Sequence, residues 1–524
     1  MIRSDWIDLA ASENKRQEVS ADFCVIGAGA AGIYLANQLV LQGRNVVLLE
    51  AGPPKCVDSS AIGFDTLFEM NLYPGVTEGR FFGMGGSTSR WGGALVPHSI
   101  HDLRDDAILN DVWHNIVRTV DDYALNVLQQ LGYPQGRDFE NIAVQFLGNA
   151  ANELRDSDIN VQSGLYLPFR IKNFVTLLDN VSRALAPRVF YNAVAKSWSV
   201  QGSEDCDNSR VASVLAISRN HKELFVRADK FVVAAGAIES ARILLEINES
   251  GDQRVFRSSA AIGCYLADHL SVSIADVASS SLNMAATLFA PRFAGAWLRG
   301  FRFLENRAPN ASPRAFAHFI FENSSAGFEL AKELMGAMQG RRIPAINATS
   351  VIAGMGDLIR LAYYRFAHSK FYITPGTHAH LQLDMEQGAI RDNRVSLTKQ
   401  KDVYGRNVAC IHWKVTEEDM MNIEETARRF LSKWSNVSGD LPHLEPKVIG
   451  TDGTKPYDAY HPVGTCRMGE GVEAVVDLDL KVWGVQNLWV ASTGVLPSAG
   501  TANPTFTLLC LTHKLAVHLG SAHK

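Results

Sequence analysis

Asp22–Glu50 reads DFCVIGAGAAGIYLANQLVLQGRNVVLLE and decides the fold. Phe23–Ile26 is a short apolar strand running into Gly27-Ala28-Gly29-Ala30-Ala31-Gly32, then a helix, then a second buried strand, Val46–Leu49, ending at Glu50. Each glycine meets a separate steric need. Gly27 makes the tight turn, Gly29 lets backbone approach a pyrophosphate, and Gly32 lets helix pack on strand. The helix that follows aims unpaired N–H groups and its positive dipole end at the phosphates. Glu50 sits about twenty residues beyond the glycines, where an acid takes ribose hydroxyls. A glycine turn alone could serve packing; strand, helix, second strand and terminal acid together specify a dinucleotide. No basic residue adjoins Glu50, which disfavours a 2′-phosphate and leaves FAD or NAD.

Outward from that unit, 524 residues are too many for one hydrophobic core, so two or more domains are expected. Fifty basic residues against 55 acids leave a net charge of −5, which excludes nucleic acid as the expected partner. Cys24, Cys56, Cys206, Cys264, Cys410, Cys466 and Cys510 are scattered and lack CxxC spacing. They read as reduced core thiols, with neither a disulfide framework nor a metal site. The first twenty residues lack the apolar centre of a signal peptide, and no apolar run is long enough for a membrane span. The expectation is a cytoplasmic enzyme without a membrane partner.

Phe82–Pro97, FGMGGSTSRWGGALVP, is a loop built for close backbone approach to something flat or charged. Residues 104–160 read as helical, with Ala124, Leu128 and Leu131 as an apolar stripe. Arg188–Ser199, Arg210–Ser218 and Leu224–Ala235 read as strands, and Ala237–Glu246 as a helix reached through Gly236, returning the chain to the dinucleotide sheet. From about 270 to 450 the texture changes. His378–Glu386 alternates strictly, and Phe316–Phe321 and Leu270–Val277 are further strands, so an antiparallel sheet with one packed and one wet face is expected. Met284–Phe303 and Val351–Ala367 could be membrane-surface or dimer-forming helices, but are read as buried helices backing that sheet. Thr416–Trp434 is an amphipathic helix with its acids at the start.

Six segments then carry a family resemblance: GAGAAG with Glu50, GGSTSRWGG at 85–93, VVAAGAIESARILL at 232–245, IGCYLADHL at 262–270, HPVGTCRMG at 461–469 and TANPTFT at 501–507. In this order they resemble the glucose–methanol–choline (GMC) oxidoreductases, flavoenzymes that oxidise alcohols and sugars. Residues 393–413 also look like that family's segment before its last long helix. The resemblance implies an α/β protein: a Rossmann-like FAD-binding domain (1–105, 160–270 and 450–524), a substrate domain with an antiparallel sheet backed by helices (270–450), and a helical insertion (106–159). It implies FAD held at Gly27, Gly29, Ala30, Ala31, Gly32 and Glu50. Further FAD positions are the loop residues Gly85, Gly86, Ser87, Thr88, Trp91, Gly92 and Gly93, with Val194, Ala235, Gly236 and Thr505. Pro504 starts the last helix at a favoured position, and that helix end suits the negative charge of a reduced flavin.

The same resemblance makes His461 and Asn503 the catalytic pair. A histidine titrates near neutrality and can take an alcohol proton while hydride leaves the same carbon for flavin N5. Asn503 offers a donor and an acceptor to the substrate oxygen. His318, His380 and Gln382 are the candidates for substrate contact, with oxygen or another acceptor reoxidising the flavin; no metal is expected. Arg90 stands where one pyranose-oxidising branch carries a flavin-linked histidine, which implies non-covalent FAD. Ala491–Gly494 lacks an Asp common there. The texture is nearest to bacterial pyranose and C-glycoside 3-oxidases, so a sugar or glycoside hydroxyl is the preferred substrate. The rivals are a flavin-containing lyase of the same fold and a non-catalytic flavoprotein. A NAD-dependent dehydrogenase leaves the 85–93 loop and the last helix without a role.

Overall fold

The first sheet, parallel except for an antiparallel edge, forms around the opening unit. β1 (Arg16–Ile26), α1 (Ala30–Leu41) and β2 (Val46–Leu49) make a βαβ turn, with Phe23 opposite Val46 and Ile26 opposite Leu49. All four residues of β2 are buried, as expected of a strand covered on both faces. The chain then makes β3 (Thr66–Phe68), α2 (Asn110–Gln130) and β4 (Ile159–Tyr166) before returning as β5 (Arg188–Tyr191), β6 (Val194–Gln201), β7 (Arg210–Ile217) and β8 (Glu223–Val233). The sheet order is β5-β2-β1-β8-β7-β6, with Ile7–Asp8 outside β5. β8 runs parallel to β1 along its whole length. The single strand expected over Arg188–Ser199 is two, broken at Asn192, whose φ of 51° is a left-handed conformation that asparagine tolerates. This computed structural model describes all residues except 1–2, 106–108, 135–141, 180, 183–185, 203–208, 250–255, 257–258, 308–312, 342, 452 and 522–524. Cys206 and parts of the expected 106–159 insertion therefore lie outside the described residues; the other six cysteines are buried free thiols.

After α3 (Gly236–Glu249) come β9 (His269–Val277), β10 (Trp297–Glu305), β11 (Ala315–Glu322), α4 (Ala326–Gln339), α5 (Ala348–His368) and β12 (His378–Glu386). The chain continues through β13 (Arg394–Lys401), β14 (Asn407–His412), α6 (Glu417–Ser435) and β15 (Leu488–Val490), which pairs with β8, to α7 (Pro504–Ser521). The second sheet has the order β9-β12-β11-β10-β4, with antiparallel neighbours throughout. Residues 160–166, expected with the dinucleotide sheet, thus run through this one as β4. β13 and β14, expected in the substrate domain, instead form a small sheet with β3. Arg406, from the turn between them, binds Glu239 and Glu246 of α3 at 2.8 and 2.9 Å.

Three expectations need correction. Within Met284–Phe303, residues 297–303 belong to strand β10; buried Arg299 and Arg302 hide its alternation. The face of β12 expected to be wet is largely buried at His380, Asp384 and Glu386, because Arg104 and Ser498, both from loops, close over Glu386 while Ser271 and His318 bond Asp384. The helix that backs the second sheet is α6, capped reciprocally by Thr416 and Asp419, with Trp434 against Phe289, Phe303 and Phe319.

α5, by contrast, is not a buried backing helix. It crosses α4 so closely that a Cβ on Gly354 would stand 2.9 Å from Gly327 Cα. Gly354 is the one buried residue among its described side chains, while Ile352, Ile359 and Phe366 are 73%, 65% and 81% exposed. Since nothing among the described residues covers them, Ile359→Ser combined with Phe366→Ser should change unfolding free energy by no more than about 1 kcal/mol, as for surface sites. A loss of roughly 3 kcal/mol in denaturant melts, the scale of a core truncation, would contradict the exposure.

Candidate active site

A cavity of about 590 Å³ opens at the C-terminal ends of β1, β2 and β8, where ligands of open α/β sheets bind. Gly27, Gly29, Ala30, Ala31 and Glu50 line it from the first βαβ unit. Gly86, Ser87, Thr88, Trp91, Gly92 and Gly93 line it from the glycine-rich loop, and Val194, Ala235, Gly236 and Thr505 complete the expected set. Gly32 and Gly85 do not line it. A Cβ on Gly32 would stand 1.8 Å from the Gly27 carbonyl oxygen, and one on Gly85 2.0 Å from Asn173 Oδ1, so both serve close packing. Glu50 accepts backbone N–H bonds from Ala28, Gly52 and Gly83 at 2.8–2.9 Å, and burial pushes its carboxyl up to about 7 against them. The loop is clamped from the second domain's side: Gln339 of α4 donates to the carbonyls of Thr88 and Trp91 at 3.0 and 2.8 Å.

His461 and Asn503 both line the cavity, and their hydrogen bonds have one consistent direction. Arg302 can only donate, and it donates to Asn503 Oδ1, leaving the Asn503 amide Nδ2 to face His461 Nε2 at 3.1 Å. On the other side His269 Nε2 lies 2.9 Å from the Gly500 carbonyl, which can only accept, so the His269 proton is on Nε2. His269 Nδ1 then carries a lone pair and accepts from His461 Nδ1 at 3.1 Å. The chain Arg302→Asn503→His461→His269→Gly500 therefore leaves the His461 lone pair on Nε2. Protonating Nε2 would set it against the Asn503 amide N–H, and turning that amide over would set N–H groups against Arg302.

The layer behind the pair comes from four elements. Asp268 accepts the backbone N–H groups of His461 and His269 at 2.9 and 2.7 Å and the Tyr73 hydroxyl; burial, with Asp458 nearby, pushes it up to about 8. Asp384 accepts from Ser271 and pairs with His318 at 2.9 Å. Its carboxyl is held below the usual range by His318 and His269, against burial. Of the expected substrate residues, His318 and Gln382 bond Asp384 and so stand behind the pair, outside the cavity lining. His380 lies at the other end of β12 beside Glu322. Arg302, His269, Asp268 and Asp384 were missed as site residues. The segment IGCYLADHL contains Asp268 and His269, so the signal was present for those two; Arg302 and Asp384 come from strands with no local motif.

The fold and cavity define an α/β protein that presents a dinucleotide-sized cleft to a directed histidine–asparagine pair. Residues 389–512 match the family model described as GMC oxidoreductase. A C-glycoside 3-oxidase from Arthrobacter globiformis is 33% identical over 157 residues, 29% of each chain. A pyranose 2-oxidase from Emericella nidulans is 28% identical over 134 residues, 23% of this chain and 22% of its own. The chain spans under a third of the length of these relatives. Formate oxidase from Aspergillus oryzae RIB40 (TM-score 0.57, 15% identity, 96% of this chain and 98% of that one) has the same fold. Pyridoxine 4-oxidase from Mesorbium loti (TM-score 0.55, 16% identity, 96% and 100%) shares it too. Over residues 389–512 the chain thus resembles the GMC oxidoreductases, the family that the six motifs implied.

Burial and neighbouring His269 push His461 down to about 3, against the pull of Asp384. The unfolded chain takes up this proton near the ordinary 6.5, the folded one far lower, so His461 costs stability progressively as pH falls through that window. In ¹³C-histidine-labelled protein, the signal lost in His461→Gln should remain that of a neutral ring at about pH 5.5. A midpoint at or above that of free imidazole would contradict the directed chain.

Proposed function

We propose that the protein is an FAD-dependent oxidoreductase that converts an alcohol, preferably a sugar or glycoside hydroxyl, to a carbonyl. The residues fit FAD. The cleft carries the glycine turn, the N-terminus of α1, buried Glu50 for ribose hydroxyls and an unpaired buried Ser492 hydroxyl. The N-terminus of α7 is also turned to the cavity, through Pro504 and Thr505, and favours negative charge there. When bound, FAD supplies the hydride acceptor.

The carrying observation is the directed hydrogen-bond chain. His461 Nε2, left with a lone pair beside the Asn503 amide, accepts the hydroxyl proton. The Asn503 amide donates to the substrate oxygen, held in place by Arg302, so that proton and hydride leave from a fixed geometry. Asp268 grips the His461 backbone, and the rigid seat keeps the ring in register. The sugar preference rests on the C-glycoside 3-oxidase and pyranose 2-oxidase similarities. Arg90, which pairs with Asp58 at 3.5 Å and lies 4.2 Å from the Phe81 ring centre, offers no imidazole to the flavin and so supports non-covalent attachment.

The test is anaerobic addition of free sugars, glycosides and simple alcohols to the purified yellow protein. Sugars or glycosides should bleach the flavin fastest. Bleaching by simple alcohols alone would overturn the substrate class, and no bleaching by any of them would favour the lyase or a non-catalytic flavoprotein. Acid precipitation should leave the yellow colour in the supernatant; colour in the pellet would refute non-covalent binding.

A further inference from the structure

β12 carries titratable side chains at both ends. Near the cavity, Asp384 and Glu386 support the histidine–asparagine pair. At the opposite end His378 and His380, two residues apart on one strand, share a face. Glu322 of β11 is in register with His378, and Asp276 of β9 with His380, so three adjacent strands bring these groups together. Glu322 Oε2 is 3.2 Å from His378 Nδ1, and Glu322 Oε1 is 3.2 Å from His380 Nδ1. A ligand atom from each of Glu322, His378 and His380 falls within 4.8 Å of the others.

Those separations are close to the ones that a metal imposes. Ligand bonds of about 2.0–2.2 Å in a tetrahedron put donor atoms roughly 3.3–3.6 Å apart. Within the protein the cluster is also incompletely satisfied. His380 is 9% exposed, yet its Nδ1, although near Glu322, makes no well-formed hydrogen bond. An orphaned buried ring nitrogen is costly, and native structures rarely keep one without a partner. Burial disfavours a charged His380, and the neutral ring is the form that ligates metal.

We propose that Glu322, His378 and His380 bind a divalent late transition metal, with zinc the best match to the donor set. Asp276 Oδ1 lies 3.1 Å from His378 Nε2, on the far side of the ring from Glu322, where an outer carboxylate orients a ligating histidine. Lys447 Nζ, 2.7 Å from Asp276, neutralises that carboxylate and keeps it from ligating directly. One carboxylate and two imidazoles are too few oxygens for calcium or magnesium, which need several. Glu322 and His378 are half exposed, so the ion can enter from solvent and water can fill the open position. The metal would tie β11 to β12 directly, and β9 through Asp276, at the end of the sheet far from the catalytic pair.

The test is cobalt titration of the protein as purified, after chelator treatment and desalting. One equivalent of Co²⁺ should produce ligand-field bands to the red of any flavin absorption, zinc should displace them, and zinc should raise the melting temperature while calcium does not. The bands should vanish in His380→Ala and in Glu322→Gln; the second changes an exposed side chain and leaves the sheet intact by circular dichroism. They should persist in His461→Ala, which breaks the other histidine–carboxylate cluster among the described residues. Absence of bands at one equivalent, or bands surviving in the His378→Ala/His380→Ala double variant, would overturn the site and leave the cluster an ion-pair network.

Discussion

Three backbone segments meet at the first glycine turn with no room for a side chain. A Cβ on Gly32 would fall 1.8 Å from the Gly27 carbonyl oxygen, and a Cβ on Gly27 would fall 2.6 Å from the Ala234 carbonyl oxygen. This contact packs α1 on β1 and draws the end of β8 beside both. The cleft follows from it, because the ends of β1, β2 and β8 and the N-terminus of α1 then face one space. Glu50 reinforces the arrangement by collecting N–H groups from Ala28, Gly52 and Gly83, three separate stretches of chain.

The histidine–asparagine end of that space is assembled from distant sequence. Gly500, at φ +63°, turns so tightly that a Cβ would stand 2.5 Å from Asp102 Oδ1. Asp102 accepts the Thr501 N–H at 2.6 Å, and His98 reaches the Ala499 carbonyl at 2.9 Å. The turn therefore holds the Gly500 carbonyl that fixes the His269 tautomer, and holds Asn503 three residues later. One tight turn, two histidines, an asparagine and an arginine together decide which nitrogen of His461 carries the lone pair.

Much of this was legible in the sequence where function demands local pattern. The glycine turn, the 85–93 loop, HPVGT around His461 and the Asn503–Pro504 helix start each concentrate their chemistry within a few residues. Arg302 and Asp384 were not legible, because they reach the site through pairing of β10, β11 and β12 and look locally like surface charges on alternating strands. The same blindness led to the expectation of a wet face on β12: alternation reports polarity, and here the polar face is buried against Ser271 and His318 of the neighbouring strands and against Arg104 and Ser498 from loops. Val351–Ala367 failed in the opposite sense. Its apolar composition suggested burial, yet in this chain the helix buries only Gly354, where it crosses α4, among its described side chains.

The central claim is that His461 Nε2 takes the substrate proton, and stopped-flow flavin reduction under anaerobic, saturating substrate tests it most directly. A positioned base contributes about 10² to 10⁴ in rate, so His461→Ala should slow this half-reaction by roughly that factor while FAD stays bound. Flavin reduction at the wild-type rate in His461→Ala would place the base elsewhere and contradict the account.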